Sequence, residues 1–248
     1  AIDTERAMRD PRRISGVVDY LLEHFDQKTK RAFGYNKDGV RRFGFNAIFA
    51  VSSIDAAKLY YTEIKRQITE KNKNLKIATI YSFSANEEDP ESGLPDESFD
   101  TDSLDKSSRD FLDDAIQDYN QYFKTNYDTS SEKFENYYKD LSKKVKEREI
   151  DLMVVVNMFL TGFDATTLNT LWVDKNLRSH GLIQAYSRTN RILNSVKTFG
   201  NIVCFRDLSK ATDDAIALFG NREAGGIVLM KTYEEYYSVG YDFNGKNQ

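Results

Sequence analysis

The strongest chemical signal in this sequence is a glutamine and two arginines spaced along one predicted helix: Gln184, Arg188 and Arg191. At about 100° per residue, with Gln184 at zero, Arg188 falls near +40° and Arg191 near −20°. Leu182, Tyr186, Thr189 and Leu193 fall on the far side and make the packing face. Two guanidinium groups within an arc of roughly 60° repel one another unless an anion lies between them. Arginine suits that task because its planar fork chelates phosphate oxygens. An ordinary solvated helix face has the same spacing, and spacing alone does not separate the two readings.

A second segment, Asn157 to Ala165, holds Thr161-Gly162-Phe163-Asp164 directly after a valine-rich run. Thr-Gly after a buried strand allows a tight turn and close backbone approach to a ligand. Asp164 could accept hydrogen bonds from ribose hydroxyls, as acids do in other α/β nucleotide sites. It could equally cap the turn.

These residues must be positioned by the elements around them. Residues 14–25 place Ile14, Val17, Val18, Leu21, Leu22 and Phe25 at helical spacing after Pro11. The apolar run from Arg42 to Val51 reads as a strand and ends in Ser52-Ser53. Ser52 with Asp55 resembles a capping box for a helix with Ile54, Ala57, Tyr61, Ile64 and Ile68 on one face. Residues 76–83 are a second strand, and 84–103 a long irregular loop. Amphipathic helices are expected near Asp110–Phe123 and Glu132–Glu147. The run 150–156 suits a strand buried on both faces of a parallel sheet. Further strands at 170–174 and 200–206 flank a helix near Leu182–Leu193, and a last helix lies near Ser209–Leu218. Strands alternating with helices predict a doubly wound α/β fold. In such folds ligands sit beyond the carboxyl ends of the strands. That directs attention to Ser52-Ser53, Ser82, Asn157 to Asp164, Asp174-Lys175 and Asp207.

Composition removes several classes. The 248 residues carry 35 basic and 39 acidic side chains, a net charge of −4. Twelve acids and two bases fall between Asn86 and Asp114, a local charge of −10, which leaves the remainder at +6. An acidic segment within a mildly basic body reads as a solvated insertion turned away from any polyanion. No apolar run reaches the ~18 residues of a membrane span. The single Cys204 excludes an internal disulfide, and His24 and His180 give no zinc pattern. These features fit a cytoplasmic protein without a membrane partner. There is no signal peptide pattern, and the opening AIDTER reads as part of a longer polypeptide. No GxxxxGK[ST], GxGxxG or GxSxG motif is present, so a self-contained nucleotide hydrolase is not expected.

Together the two segments are more specific. TGFD, about twenty residues, then QxxxRxxR resembles motifs V and VI of superfamily two helicases, and FNAIFAV with Ser52-Ser53 sits where motif IV belongs. NMFLTGFDATTLNTLWVDKNLRSHGLIQAYSRTNRI, FNAIFAVSSIDAAKLYY and the YSFSANEED region resemble the R subunit of type I restriction enzymes, from about Pro11 to Asp207 and beyond. Ser187 stands where many superfamily two members have glycine.

The resemblance implies a RecA-like doubly wound, mostly parallel sheet with helices on both faces, plus a helical and acidic insertion. It implies a helical lead-in over 1–30, the second motor lobe over 31–220 with the insertion at about 84–130, and an extension over 221–248. Arg188 and Arg191 would be the catalytic arginines of motif VI, with Arg191 the finger reaching the γ-phosphate. Gly162, Asp164 and Gln184 would border ATP, bound with Mg2+ mainly by a first lobe outside this chain. Ser52 and Thr161 would face the backbone of double-stranded DNA. Partners would be the first lobe and nuclease of the same polypeptide, and the methyltransferase and specificity subunits, in a bacterium or archaeon. This chain alone would be inactive. The alternative is a non-catalytic helicase-like module that docks DNA or protein.

Overall fold

A computed structural model describes residues 7–82, 99–193 and 196–219. Most of the expected acidic loop and the expected extension over 221–248 lie outside the described residues.

Helix α1 (Pro11–Lys28) is capped by Asp10, whose carboxylate accepts from the Arg12 amide, with Pro11 in the first turn. Strands β1 (Gly34–Lys37) and β2 (Val40–Phe43) form an antiparallel hairpin. Sequence reading had no strand at 34–37, although Asp38-Gly39 is a hairpin signal. Both turn residues take positive φ, 51° and 77°. Strand β3 (Asn46–Val51) leads to helix α2 (Ile54–Glu70), and then come β4 (Ile77–Ile80), α3 (Lys106–Phe123), α4 (Ser131–Lys146) and β5 (Leu152–Val155). Strand β6 (Leu168–Asp174), α5 (Ser179–Ser187), β7 (Asn201–Cys204) and α6 (Ser209–Phe219) complete the described chain.

The main sheet has the order β4-β5-β3-β6-β7, with every neighbouring pair parallel. Every residue of β3, β4, β5 and β6 is buried, whereas β7 alternates at the edge. Continuous apolar strands require cover on both faces. This is the α/β parallel sheet flanked by helices that the alternating pattern predicts, consistent with a RecA-like fold.

Helix α1 belongs to the same core. Val18, Leu21, Leu22 and Phe25 are fully buried among the sheet residues. The helical pair α3 and α4 is also built in. Tyr137 Oη donates to the Thr79 carbonyl (2.9 Å) and Tyr81 Oη to that of Ser108 (2.7 Å), which ties both helices to the β4 strand and its end.

Two expectations need correction. The cap of α2 is Ser53, not Ser52: its hydroxyl accepts from the Ala56 amide at 3.2 Å. The helix expected over Leu182–Leu193 ends at Ser187, so Arg191 lies beyond it. Side chains compete for the last carbonyls: Ser187 Oγ and Arg188 Nε both donate to the Gln184 carbonyl (2.7 and 3.0 Å), and Thr189 Oγ1 to that of Tyr186 (3.1 Å). The Arg188 and Thr189 amides reach back only three residues, which tightens the final turn.

Candidate functional site

The length of α5 places the arginines. The helix starts after the carboxyl end of β6 and runs back along the sheet, so its last turn arrives at the amino end of the strands. Arg188 is its C-cap, and the loop carrying Arg191 leads into the start of β7. Asp164 stands four residues before the start of β6. The arginine site therefore lies toward the amino edge, not among the carboxyl-end residues that the general α/β rule selected.

There Phe163, Asp164, Ser187, Arg188, Asn190 and Arg191 line an open cleft of about 390 Å³. Arg191 Nη2 lies 3.1 Å from Asp164 Oδ2, and both side chains are more than half exposed. Arg188 is held more firmly. Its Nη1 donates to the Phe163 carbonyl, its Nη2 to Ser187 Oγ (3.0 Å) and its Nε to the Gln184 carbonyl (3.0 Å). Protein acceptors thus answer the repulsion between the two arginines. Gly162, at φ 62°, makes the turn that sends Phe163 inward and leaves Asp164 exposed. Gln184 takes part through its backbone carbonyl. Ser52 follows the carboxyl end of β3, so the fold sets it at the other end of the sheet from the arginines. Thr161 is half-buried in the β5–β6 crossover.

Sequence reading missed Lys197, which is fully buried beneath this cleft. Its ammonium donates to the carbonyls of Thr189 (3.0 Å) and Arg191. Burial pushes its pKa down to about 8, against a partial lift from Asp164. It also missed a second cavity, of about 360 Å³, near the amino ends of β4 and β5. Arg31, Arg41, Arg42, Lys76 and Arg148 are among its lining residues. Asp151 pins two of them, accepting from Arg31 Nη1 (2.6 Å) and Arg148 Nη1 (2.8 Å).

The cleft fits a nucleotide phosphate in its donor set, since Arg191 is exposed and carries guanidinium N–H groups. It does not supply a metal cage: among the described residues, no group of three or more His, Cys, Asp and Glu could hold an ion. No described helix is long and apolar enough to cross a membrane.

Residues 43–207 match the family model of type I restriction enzyme subunit R domain 3. The chain belongs to the type I restriction enzyme R subunit family. A type I restriction enzyme endonuclease subunit of Staphylococcus aureus (strain COL) is 42% identical over 238 residues, which is 95% of this chain and 23% of that protein. The corresponding subunit from Staphylococcus saprophyticus is 42% identical over 237 residues, with the same coverage of each chain. The HindI endonuclease subunit of Haemophilus influenzae is 33% identical over 103 residues, 40% of this chain and 10% of that one. This R-subunit domain therefore spans about a quarter of the length of the two staphylococcal relatives. The matched region contains the whole parallel sheet and both arginines.

Proposed function

We propose that this chain is the second RecA-like lobe of a type I restriction motor, contributing to ATP-dependent translocation of double-stranded DNA before cleavage. The observation that carries the reading is the convergence of Arg188, Arg191 and Asp164 on one cleft. Arg191 would leave Asp164 and turn to the γ-phosphate, where a guanidinium stabilises charge developing on the phosphoryl oxygens. Arg188, fixed by Phe163, Ser187 and Gln184, would set the direction of that approach. Mg2+ and ATP, held mainly by a first lobe, would bring the phosphoryl group and neutralise its oxygens. Ser52 and Thr161 would hold the DNA backbone, a contact that fixes register without reading sequence. Separating Ser52 from the arginines by the length of the sheet suits a lobe that contacts DNA and nucleotide at different places.

The remaining partners follow from the same reading: the nuclease and first lobe of the parent polypeptide, and the methyltransferase and specificity subunits, in the cytoplasm. The acidic segment and the outer face of α3 and α4 would contact other parts of the subunit. Unchanged assembly after deletion of residues 86–103 would argue against that contact.

The test is DNA-stimulated ATP hydrolysis by the full-length polypeptide, assembled with its partner subunits, beside the same protein carrying Arg191→Ala. A loss of at least ~100-fold with the fold intact is expected. Unchanged hydrolysis would favour a non-catalytic docking module. One observation already favours that second reading: Arg188 spends its donors on its own chain, and Arg191 has a carboxylate partner.

A further inference from the structure

Among the described residues, the loop between α5 and β7 holds no regular element apart from a single bridge, Leu193 with Lys197. Yet it carries Arg191, and a catalytic arginine has to be held to a fraction of an ångström. The fold supplies a means in Lys197. Its side chain is fully buried, and among the described residues no carboxylate stands within ion-pair distance of it; Asp164, paired with Arg191, acts on it only at longer range. Burying an ammonium without a counter-ion is costly, and an apolar side chain of similar volume would avoid that cost. What the ammonium gains is two backbone acceptors on one turn, the carbonyls of Thr189 and Arg191. Both lie within the Arg188–Arg191 segment, past the end of the α-helical ladder, and a lysine has the donors to satisfy both.

Two neighbours close the arrangement from other elements. Lys30, just past the end of α1, donates from Nζ to the Val196 carbonyl (2.6 Å), and its ammonium sits 4.8 Å from the centre of the Phe199 ring. Gly200 lies so close to Thr189 that an added Cβ would stand 2.3 Å from Thr189 Oγ1 and 2.5 Å from its carbonyl oxygen. The loop is therefore fastened from inside by Lys197, from α1 by Lys30, and by direct backbone contact at Gly200.

We infer that Lys197 is a positioning residue: it holds the Thr189–Arg191 turn, and so sets where the Arg191 guanidinium can reach. The turn-holding part rests on geometry alone, and its consequence for hydrolysis rests on the proposed finger role of Arg191.

The experiment separates these parts. In the full-length polypeptide, Lys197→Met is compared with wild type for native-state trypsin cleavage after Arg191, read by mass spectrometry, and for DNA-stimulated ATP hydrolysis. Arg191→Ala and the double variant complete a cycle. Cleavage after Arg191 is expected to accelerate at least ~10-fold by local opening, while the thermal transition stays cooperative. Hydrolysis should fall roughly 10–100-fold in kcat, with little change in KM. Lys197→Met should cost nothing further once Arg191 is alanine, because a residue acting through another is non-additive with it. Unchanged cleavage after Arg191, or losses that simply add, would overturn the inference. Accelerated cleavage together with hydrolysis indifferent to Arg191→Ala would uphold the clamp and overturn the finger. If Lys197→Met does not fold, Lys197→Gln, which keeps one donor, carries the same comparison.

Discussion

Arg13 and Asp174, 161 positions apart, form a two-pronged ion pair, with Nη1–Oδ2 at 2.8 Å and Nη2–Oδ1 at 2.7 Å. Asp174 also accepts from Tyr60 Oη (2.5 Å) and Arg206 Nε (3.0 Å). One carboxylate at the end of β6 thus joins α1, α2 and the segment after β7. Its side chain is 3% exposed, and that of Arg206 is 6% exposed.

Removing that carboxylate should be severe. Asp174→Asn would leave Arg13 and Arg206 facing an amide that cannot neutralise them, at a cost of about 3–5 kcal/mol. The urea midpoint is the measurement. The gap should also depend on pH. Burial pushes the Asp174 carboxyl up, but the bonds from Arg13, Tyr60 and Arg206 outweigh this and hold it below its ordinary 3.8. A depressed carboxylate stabilises the fold above its unfolded pKa and loses that contribution as pH falls through the folded value. The difference between wild type and Asp174→Asn should therefore be flat at neutral pH and shrink below about pH 4.

Gly200→Ala should destabilise the loop that carries Arg191. The added methyl meets the Thr189 backbone, which cannot swing aside as a flexible side-chain tip would. Overpacking of this kind costs about 1–3 kcal/mol. Hydrogen exchange should localise the loss to residues 188–200, and uniform protection there would contradict the packing argument.

Asp164→Asn should leave stability nearly unchanged, within about 1 kcal/mol, because both members of its pair with Arg191 are largely exposed. A thermal midpoint lowered by many degrees would mean that the pair fastens the cleft and does not merely occupy it.

Lys197 should reveal itself at alkaline pH. Burial holds its folded pKa near 8, whereas the unfolded lysine keeps the ordinary 10.5. Between those values the unfolded chain binds more protons, so stability rises with pH. Wild type should gain on Lys197→Met from pH 8 to about 10.5 in parallel urea titrations. A gap that stays constant across this window would place the ammonium in water, not in the core.

Much of the fold was legible in the sequence because its signals are local. A strand covered on both faces needs an unbroken apolar run, and NAIFAV and LMVV are such runs. A helix facing the sheet needs apolar residues at intervals of three and four, as Val17, Val18, Leu21, Leu22 and Phe25 supply. The pairing of Thr161-Gly162-Phe163-Asp164 with Gln184, Arg188 and Arg191 was equally visible, since it is a matter of residue types and spacing. The family followed from that wording.

Tertiary structure decided the rest. Local periodicity continued α5 to Leu193, but its ladder stops at Ser187, where nearby side chains take the carbonyls and Lys197 then claims those of Thr189 and Arg191. Where α5 ends fixes the amino-edge location of the cleft, and no composition or spacing encodes that. The pairs Arg13–Asp174, Lys30–Val196 and Asp151 with Arg31 and Arg148 bring together charges or carbonyls that are mostly far apart in the chain. A side chain's charge is written in the sequence. Whether water or a carbonyl surrounds it is decided only when distant segments close over it, and that difference makes Lys197 a clamp instead of one more solvated lysine.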